Sequence, residues 1–200
     1  MSAPESRVGH VHRVTRETDV EVTWVLDGAG RAEVSTGVKF LDHMLDSLSR
    51  HGFFDLTVKA SGDLAVDDHH TVEDVAITLG QALLQAIDGG AGIRRFGQAI
   101  VPMDEARATA AIDLSGRGVG VIEIPLEGPL VGDMKTQMVA HFFESFAREG
   151  KMALHLQLER GDNDHHRVEV SFKALAKALD QATQIEPRLR GEVPSTKGVL

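Results

Sequence analysis

Asp68-His69-His70-Thr71-Val72-Glu73 recurs as Asp164-His165-His166-Arg167-Val168-Glu169, each position displaced by 96 (165 − 69 = 169 − 73 = 96). Side chains three or four residues apart share one face of a helix, so either histidine of a pair can stand beside its glutamate. A further histidine, His43 or His141, opens a helical segment upstream of each copy. Six imidazoles and two carboxylates suffice for two metal ions with three nitrogens and one oxygen each. A set without sulfur suits Mn, Fe, Zn or Ni. It leaves two positions of an octahedron open, which favours a catalytic over a structural site. Adjacent histidines point in different directions, so each pair is expected to serve two different metals and to interlock the repeats.

The remaining histidines and acids have plainer readings. His10, His12 and His155 read as solvated or hydrogen-bonded side chains. Asp67, Asp68, Asp162 and Asp164 are candidates to cap helix N-termini. His51, next to Gly52, either caps a helix C-terminus or joins the site. The cations that could hold a phosphate are Arg94-Arg95, Gly116-Arg117-Gly118, Lys173 and those of Pro194-Ser195-Thr196-Lys197-Gly198. Hydroxyls, lysine and backbone N–H groups beside glycine are what an anion needs. Lys173 lies seven residues, two helical turns, beyond His166.

The elements that must position these groups also repeat. Alternation predicts strands over 8–15, 20–26 and 31–36, with Asp27-Gly28-Ala29-Gly30 as a tight turn joining the last two. Helical spacing covers 40–50, stopped at His51-Gly52, and a strand follows through Phe54, Leu56 and Val58. A helix over 71–87 buries Val72, Val75, Ala76, Leu79, Leu83 and Ile87. In the second half, strands are expected over 108–114, 119–124 and 153–158, and helices over 138–147 and 165–182. Pro102, Pro125, Pro129, Gly128 and Gly132 mark loops, and 126–135 reads as an irregular connection without a counterpart in the first half. Matched spacing, local pattern and flanks argue for a duplication. The expected architecture is α+β: a tandem strand-strand-helix-strand-helix unit, residues 1–92 and 93–200, with helices packed between two mixed β-sheets.

Composition sets the outer bounds. Two hundred residues bury a substantial core. Residues 1–8 lack the apolar core of a signal peptide, so the expected compartment is the cytoplasm. No apolar run approaches membrane-spanning length. Zero cysteines exclude disulfides and thiolate metal sites, and a net charge of −9 argues against nucleic-acid binding while leaving an anionic small molecule open.

Phe40-Leu41-Asp42-His43-Met44-Leu45, Asp68-His69-His70-Thr71-Val72-Glu73-Asp74, Asp113-Leu114-Ser115-Gly116-Arg117, Asp164-His165-His166 and Pro194-Ser195-Thr196-Lys197-Gly198 together resemble the imidazoleglycerol-phosphate dehydratase family, over about 13–200. The resemblance implies a ribosomal protein S5 domain 2-like fold and a monofunctional lyase of histidine biosynthesis. It further implies Mn(II), two per active site, and a homo-oligomer of 24 subunits with sites at subunit interfaces. The family's ligands carry over to His43, His69, His70, Glu73, His141, His165, His166 and Glu169. Its substrate-binding positions map to Glu17, Arg95, Arg117, Lys173, Ser195, Thr196 and Lys197. Ser47 departs from the pattern, standing where many members have glutamine in a phosphate-facing turn.

The implied reaction converts imidazole glycerol phosphate to imidazole acetol phosphate through a dimetal-bound imidazolate. No carbonyl acidifies the reacting C–H, so the electron-rich ring must expel the neighbouring hydroxyl, with the metals as Lewis acids and template. Glu17 is the expected proton-transfer group, with a metal-bound water as the alternative agent and Asp104 and Glu105, its equivalents in the second repeat (105 − 17 = 88, as 116 − 28 = 88), in reserve; His43, His69 and His165 complete the expected catalytic set. A dinuclear phosphoester hydrolase ranks second. A metal-storage shell ranks third, because it leaves the arginines and the Ser195-Thr196-Lys197 tail without a role.

Overall fold

The computed structural model describes residues 7–200, so residues 1–6, including most of the segment read above for a signal peptide, lie outside it. Strands β1 (Val8–Val14), β2 (Thr18–Val25), β3 (Ala32–Ser35) and β4 (Asp55–Gly62) form one sheet in the order β1-β2-β4-β3. Strands β5 (Phe96–Met103), β6 (Ala106–Asp113), β7 (Val119–Glu123) and β10 (Ala153–Arg160) form a second in the order β5-β6-β10-β7. The two orders correspond strand for strand. In both sheets the last-joined edge strand runs parallel and the other pairs antiparallel, so both are mixed.

Four helices fill the space between: α1 (Lys39–Gly52), α2 (His69–Ile87), α3 (Gln137–Glu149) and α4 (Asp164–Thr183). Helices α1 and α2 cover the first sheet and α3 and α4 the second. Across the middle α1 meets α4 and α2 meets α3. Strict alternation on β2 sends Val20, Val22 and Trp24 inward. The central seam is aromatic and drawn from both repeats. The Trp24 ring lies 5.3 Å from Phe54 and 6.0 Å from Phe146, and Phe172 lies 4.7 Å from Phe143.

Several expectations are corrected. The 27–30 turn does not join a hairpin, because β4 inserts between β2 and β3 and pairs with both. Asp55 instead fixes that turn, its carboxylate accepting from the Ala29 and Arg31 N–H groups and the Arg31 guanidinium. Helix α1 continues through His51 and Gly52 and ends at Phe53 in the left-handed region (φ 59°), so His51 is no cap. Gly52 is needed for space: a Cβ there would come within 2.3 Å of the Phe54 ring. Strand β5 went unpredicted, and Pro102 lies inside it; an edge strand tolerates the missing donor.

The 126–135 connection is ordered, with a short hairpin of β8 (Leu130–Val131) and β9 (Met134–Lys135). Distant carboxylates hold it. Asp164 accepts from the Glu127 and Gly128 N–H groups, Asp68 accepts from Lys135 N, and Asp133 returns the favour at the N-terminus of α1 by accepting from Lys39 N and Phe40 N. Asp68 and Asp164 are therefore clamps. The cap of α4 is Asn163, whose side chain accepts from His165 N and His166 N, while Asp67 accepts from His69 N. Among the described residues no helix is long and apolar enough to cross a membrane.

Candidate active site

Helix α2 projects His69 and Glu73 four residues apart, and α3 brings His141 from the other repeat to meet them. Ligand atoms of the three lie within 4.8 Å of one another. The matching cluster joins His165 and Glu169 of α4 to His43 of α1, within the same span. Each cluster thus takes two donors from one half and one from the other. In the second, Glu169 Oε2 sits 3.1 Å from His165 Nε2 and 3.7 Å from His43 Nε2. Burial pushes the Glu169 carboxyl up, but the Lys173 ammonium at 2.9 Å and the nearby imidazoles outweigh it, and the group is held below the usual range. In the first, His141 Nε2 is buried, faces Glu73 Oε1 at 3.3 Å and makes no hydrogen bond with any described residue. A buried imidazole nitrogen without a partner is costly as it stands. A metal would supply that partner.

Both clusters open to solvent: the side chains of His43, His69 and His165 are 49%, 44% and 47% exposed. His70 and His166 stand outside them, each turned to a carboxylate on the sheet side. His70 Nδ1 lies 3.0 Å from Asp63 and 3.8 Å from Glu17, and the hydrogen bond to Asp63 raises its pKa. His166 Nδ1 lies 2.8 Å from Glu105; that bond raises the imidazole and holds Glu105 down at about 2. A carboxylate on Nδ1 fixes the ring and directs Nε2 outward as a donor to a metal. The divergence of His69 from His70 is what adjacency on one helix demands. Asp63 was missed by sequence reasoning, since its position after β4 carries no repeat signal.

The sequence-predicted phosphate residues divide. Arg95, Arg117, Ser195, Thr196 and Lys197 line one cavity of about 360 Å³, together with Ser115, Gly116, Val199 and Leu200. The Arg95 guanidinium is anchored by Asp113 at 2.6 Å and by the Pro194 carbonyl at 3.0 Å, which ties the tail to the second sheet. Arg117 and Lys197 are less committed: Arg117 is 68% exposed, donates to the Ser115 carbonyl at 3.3 Å and lies 4.0 Å from Asp113, and the Lys197 ammonium pairs with no carboxylate among the described residues. Lys173 is not in this cavity; it pairs with Glu169 at the second cluster. Ser47 is buried inside α1, in no turn, and its hydroxyl has no partner among the described residues. Arg94 pairs with Glu186 away from the cavity. Glu17 is exposed on the Thr15–Thr18 turn, and Asp104 occupies the equivalent turn in a left-handed conformation (φ 47°). His10 and His12 are exposed and bonded to Thr23 and Asp19, in keeping with their plain reading.

The sequence model of the imidazoleglycerol-phosphate dehydratase family matches residues 36–179. The chain belongs to this family. An imidazoleglycerol-phosphate dehydratase from Acidiphilium cryptum is 52% identical over 98% of the chain and all of the relative. One from Methanothermobacter thermautotrophicus is 53% identical over 94% of the chain and 95% of the relative. The chloroplastic enzyme of Pisum sativum is 52% identical over 98% of the chain and 70% of the relative. The crystal structure of the Pyrococcus furiosus dehydratase in complex with (S)-C348 superposes with a TM-score of 0.81 at 33% identity, covering 95% of the chain and all of that structure. The Staphylococcus aureus dehydratase gives 0.80 at 32%, covering 90% and 99%. The chain is accordingly an enzyme, a carbon–oxygen hydro-lyase carrying out a dehydration in histidine biosynthesis.

Proposed function

We propose that the chain dehydrates imidazole glycerol phosphate to imidazole acetol phosphate and water, with two divalent metal ions, Mn(II) the expected species, at each active site. The observation that carries this reading is the pair of equivalent His–His–Glu clusters on α1–α4, each with one ligand from the opposite repeat. The donor chemistry fits such ions, and the orphaned Nε2 of His141 is a ligand without a partner. When bound, the metals supply Lewis acidity and a template for the substrate's imidazole ring.

The chain's own residues do the rest. Arg117, Lys197 and the hydroxyl-rich 195–197 turn bind the phosphate and fix the far end of the substrate, with Arg95 anchoring the tail that forms the pocket. Glu17 moves the proton at the reacting carbons. Its carboxylate accepts no hydrogen bond among the described residues, so it is available as a base. The equivalent Glu105 is spent on His166 and on the Asp162 and Asn163 N–H groups, which leaves Glu17 the better candidate.

The anion cavity shares no residue with either cluster, and His70 and His166 lie outside both. We therefore propose that sites are completed between copies, His70 and His166 each serving a metal held by a neighbouring subunit, within a 24-subunit homo-oligomer. Product analysis tests the reaction. Imidazole glycerol phosphate should yield a ketone that keeps its phosphate. Release of inorganic phosphate would instead support the dinuclear hydrolase.

A further inference from the structure

Beneath the turn that carries Glu17 lies a group of polar side chains that the second repeat lacks. Arg13 on β1, Thr18 at the start of β2 and Asp74 on α2 converge there. Arg13 Nη1 lies 2.6 Å from Asp74 Oδ2, and the Thr18 hydroxyl donates to the same oxygen. Asp74 is 7% exposed and Thr18 4%. Such buried pairs carry a desolvation penalty, and apolar replacements of similar volume are often neutral or stabilising.

This chain contains the apolar version. The repeat offsets of 88 and 96 place Val101, Ala106 and Val170 at the positions of Arg13, Thr18 and Asp74. Ala106 and Val170 are buried at the same strand–strand–helix junction. The second junction therefore folds without this triad; the charge buried beside Ala106 there, Arg167, is turned to Gly161 O, Asp164 and Glu127 and makes no bond to the Glu105 turn among the described residues.

What differs is the glutamate on the turn above. Glu105 is held by His166 and by two backbone N–H groups. Glu17 has none of these bonds, only His70 at 3.8 Å. Its turn is secured from below instead. Thr15 Oγ1 accepts from Glu17 N and Thr18 N and lies 3.0 Å from the Thr18 hydroxyl, which binds Asp74. Asp74 directly follows Glu73, on the helix that carries His69 and His70.

We propose that Arg13, Thr18 and Asp74 form a positioning network that fixes the Glu17 turn relative to the α2 metal ligands. A carboxylate left free of hydrogen bonds for proton transfer is thereby held in place through its backbone. The proposal rests on the reading of Glu17 given above.

The test grafts the second repeat's own triad: Arg13→Val, Thr18→Ala and Asp74→Val together, with Asp74→Asn as a milder variant. Each is assayed for kcat and KM on imidazole glycerol phosphate, metal content and thermal midpoint, in the wild-type and Glu17→Gln backgrounds. The triple variant should fold and keep its metals while kcat falls ~10–100-fold, the range that misplacing a reacting group produces. KM should stay within about twofold. In the Glu17→Gln background the same changes should cost nothing further. Unchanged kcat, or a loss that multiplies in full on Glu17→Gln, overturns the proposal. Should the triple variant not fold, Asp74→Asn carries the same comparison. Wild-type turnover by Glu17→Gln alone would overturn the reading of Glu17 itself, which separates that failure from failure of the network.

Discussion

Gly97→Ala should unseat α4, the helix that carries His165, His166 and Glu169, three of the eight proposed metal ligands. A Cβ at Gly97 on β5 would lie 1.9 Å from the Ala178 carbonyl oxygen and 2.9 Å from Ala182 N, both backbone atoms of α4. A carbon and a carbonyl oxygen approach no closer than about 3.3 Å, so β5 and α4 must separate by ~1.4 Å. Overpacking of this kind costs ~1–3 kcal/mol, and the upper end applies because no side chain can rotate away. For a chain of this size ~3 kcal/mol lowers the melting midpoint by roughly 6–12 °C. The same separation moves His165, His166, Glu169 and Lys173, and a shift of about 1 Å in a catalytic group can cost ~10²-fold in turnover. The duplication supplies a second instance. Gly9→Ala would meet the Ala82 carbonyl oxygen at 1.8 Å and should cost as much, through α2. Gly89→Ala is the control: its Cβ meets nothing within 4 Å, so only its left-handed φ of 71° is penalised, by ~1–2 kcal/mol. Differential scanning calorimetry and steady-state turnover read both effects. A Gly97→Ala protein that melts and turns over like wild type would refute the strand–helix contact argued here.

Two further outcomes follow from the site and its surroundings. Lys197→Ala removes one charge facing the anion cavity and should raise KM by ~10-fold, as the loss of one charge-assisted hydrogen bond predicts; an unchanged KM would place the phosphate elsewhere. Asp55 is held at about 2 instead of 3.8, by the Arg31 side chain first, then by the Ala29 and Arg31 N–H groups. A depressed carboxylate stabilises the fold above its unfolded value and ceases to as pH falls through its folded one. Wild type should thus exceed Asp55→Asn in stability above about pH 4, and acid unfolding curves should show the gap closing towards pH 2. A gap independent of pH would contradict the pairing.

The repeat arithmetic picked out the histidines and glutamates of both clusters because side chains four apart on a helix must share a face, whatever the tertiary structure. It also foretold the split of His69 from His70. What it missed depends on contacts remote in sequence. The 126–135 connection looked irregular because the groups that order it are Asp68 and Asp164, 67 and 37 residues away from the amides they bind. Strand β5 was hidden by Pro102, which an edge position tolerates. Asn163 escaped notice between Asp162 and Asp164, although its side-chain oxygen is the one that caps α4. The grouping of Arg95, Arg117 and the 195–197 tail into one cavity was legible only through the family resemblance. Neither charge nor spacing told Arg95 from Arg94, whereas Lys173 meets Glu169 through a four-residue helical spacing that the sequence already carried.

The most direct test of the account is turnover of imidazole glycerol phosphate by chelator-stripped protein as Mn(II) is added back, with bound metal per chain and particle size followed together. The account predicts no turnover without metal, full turnover at two ions per chain, and a large assembly forming over the same titration. Turnover by the stripped protein, or two bound ions without turnover, would contradict it.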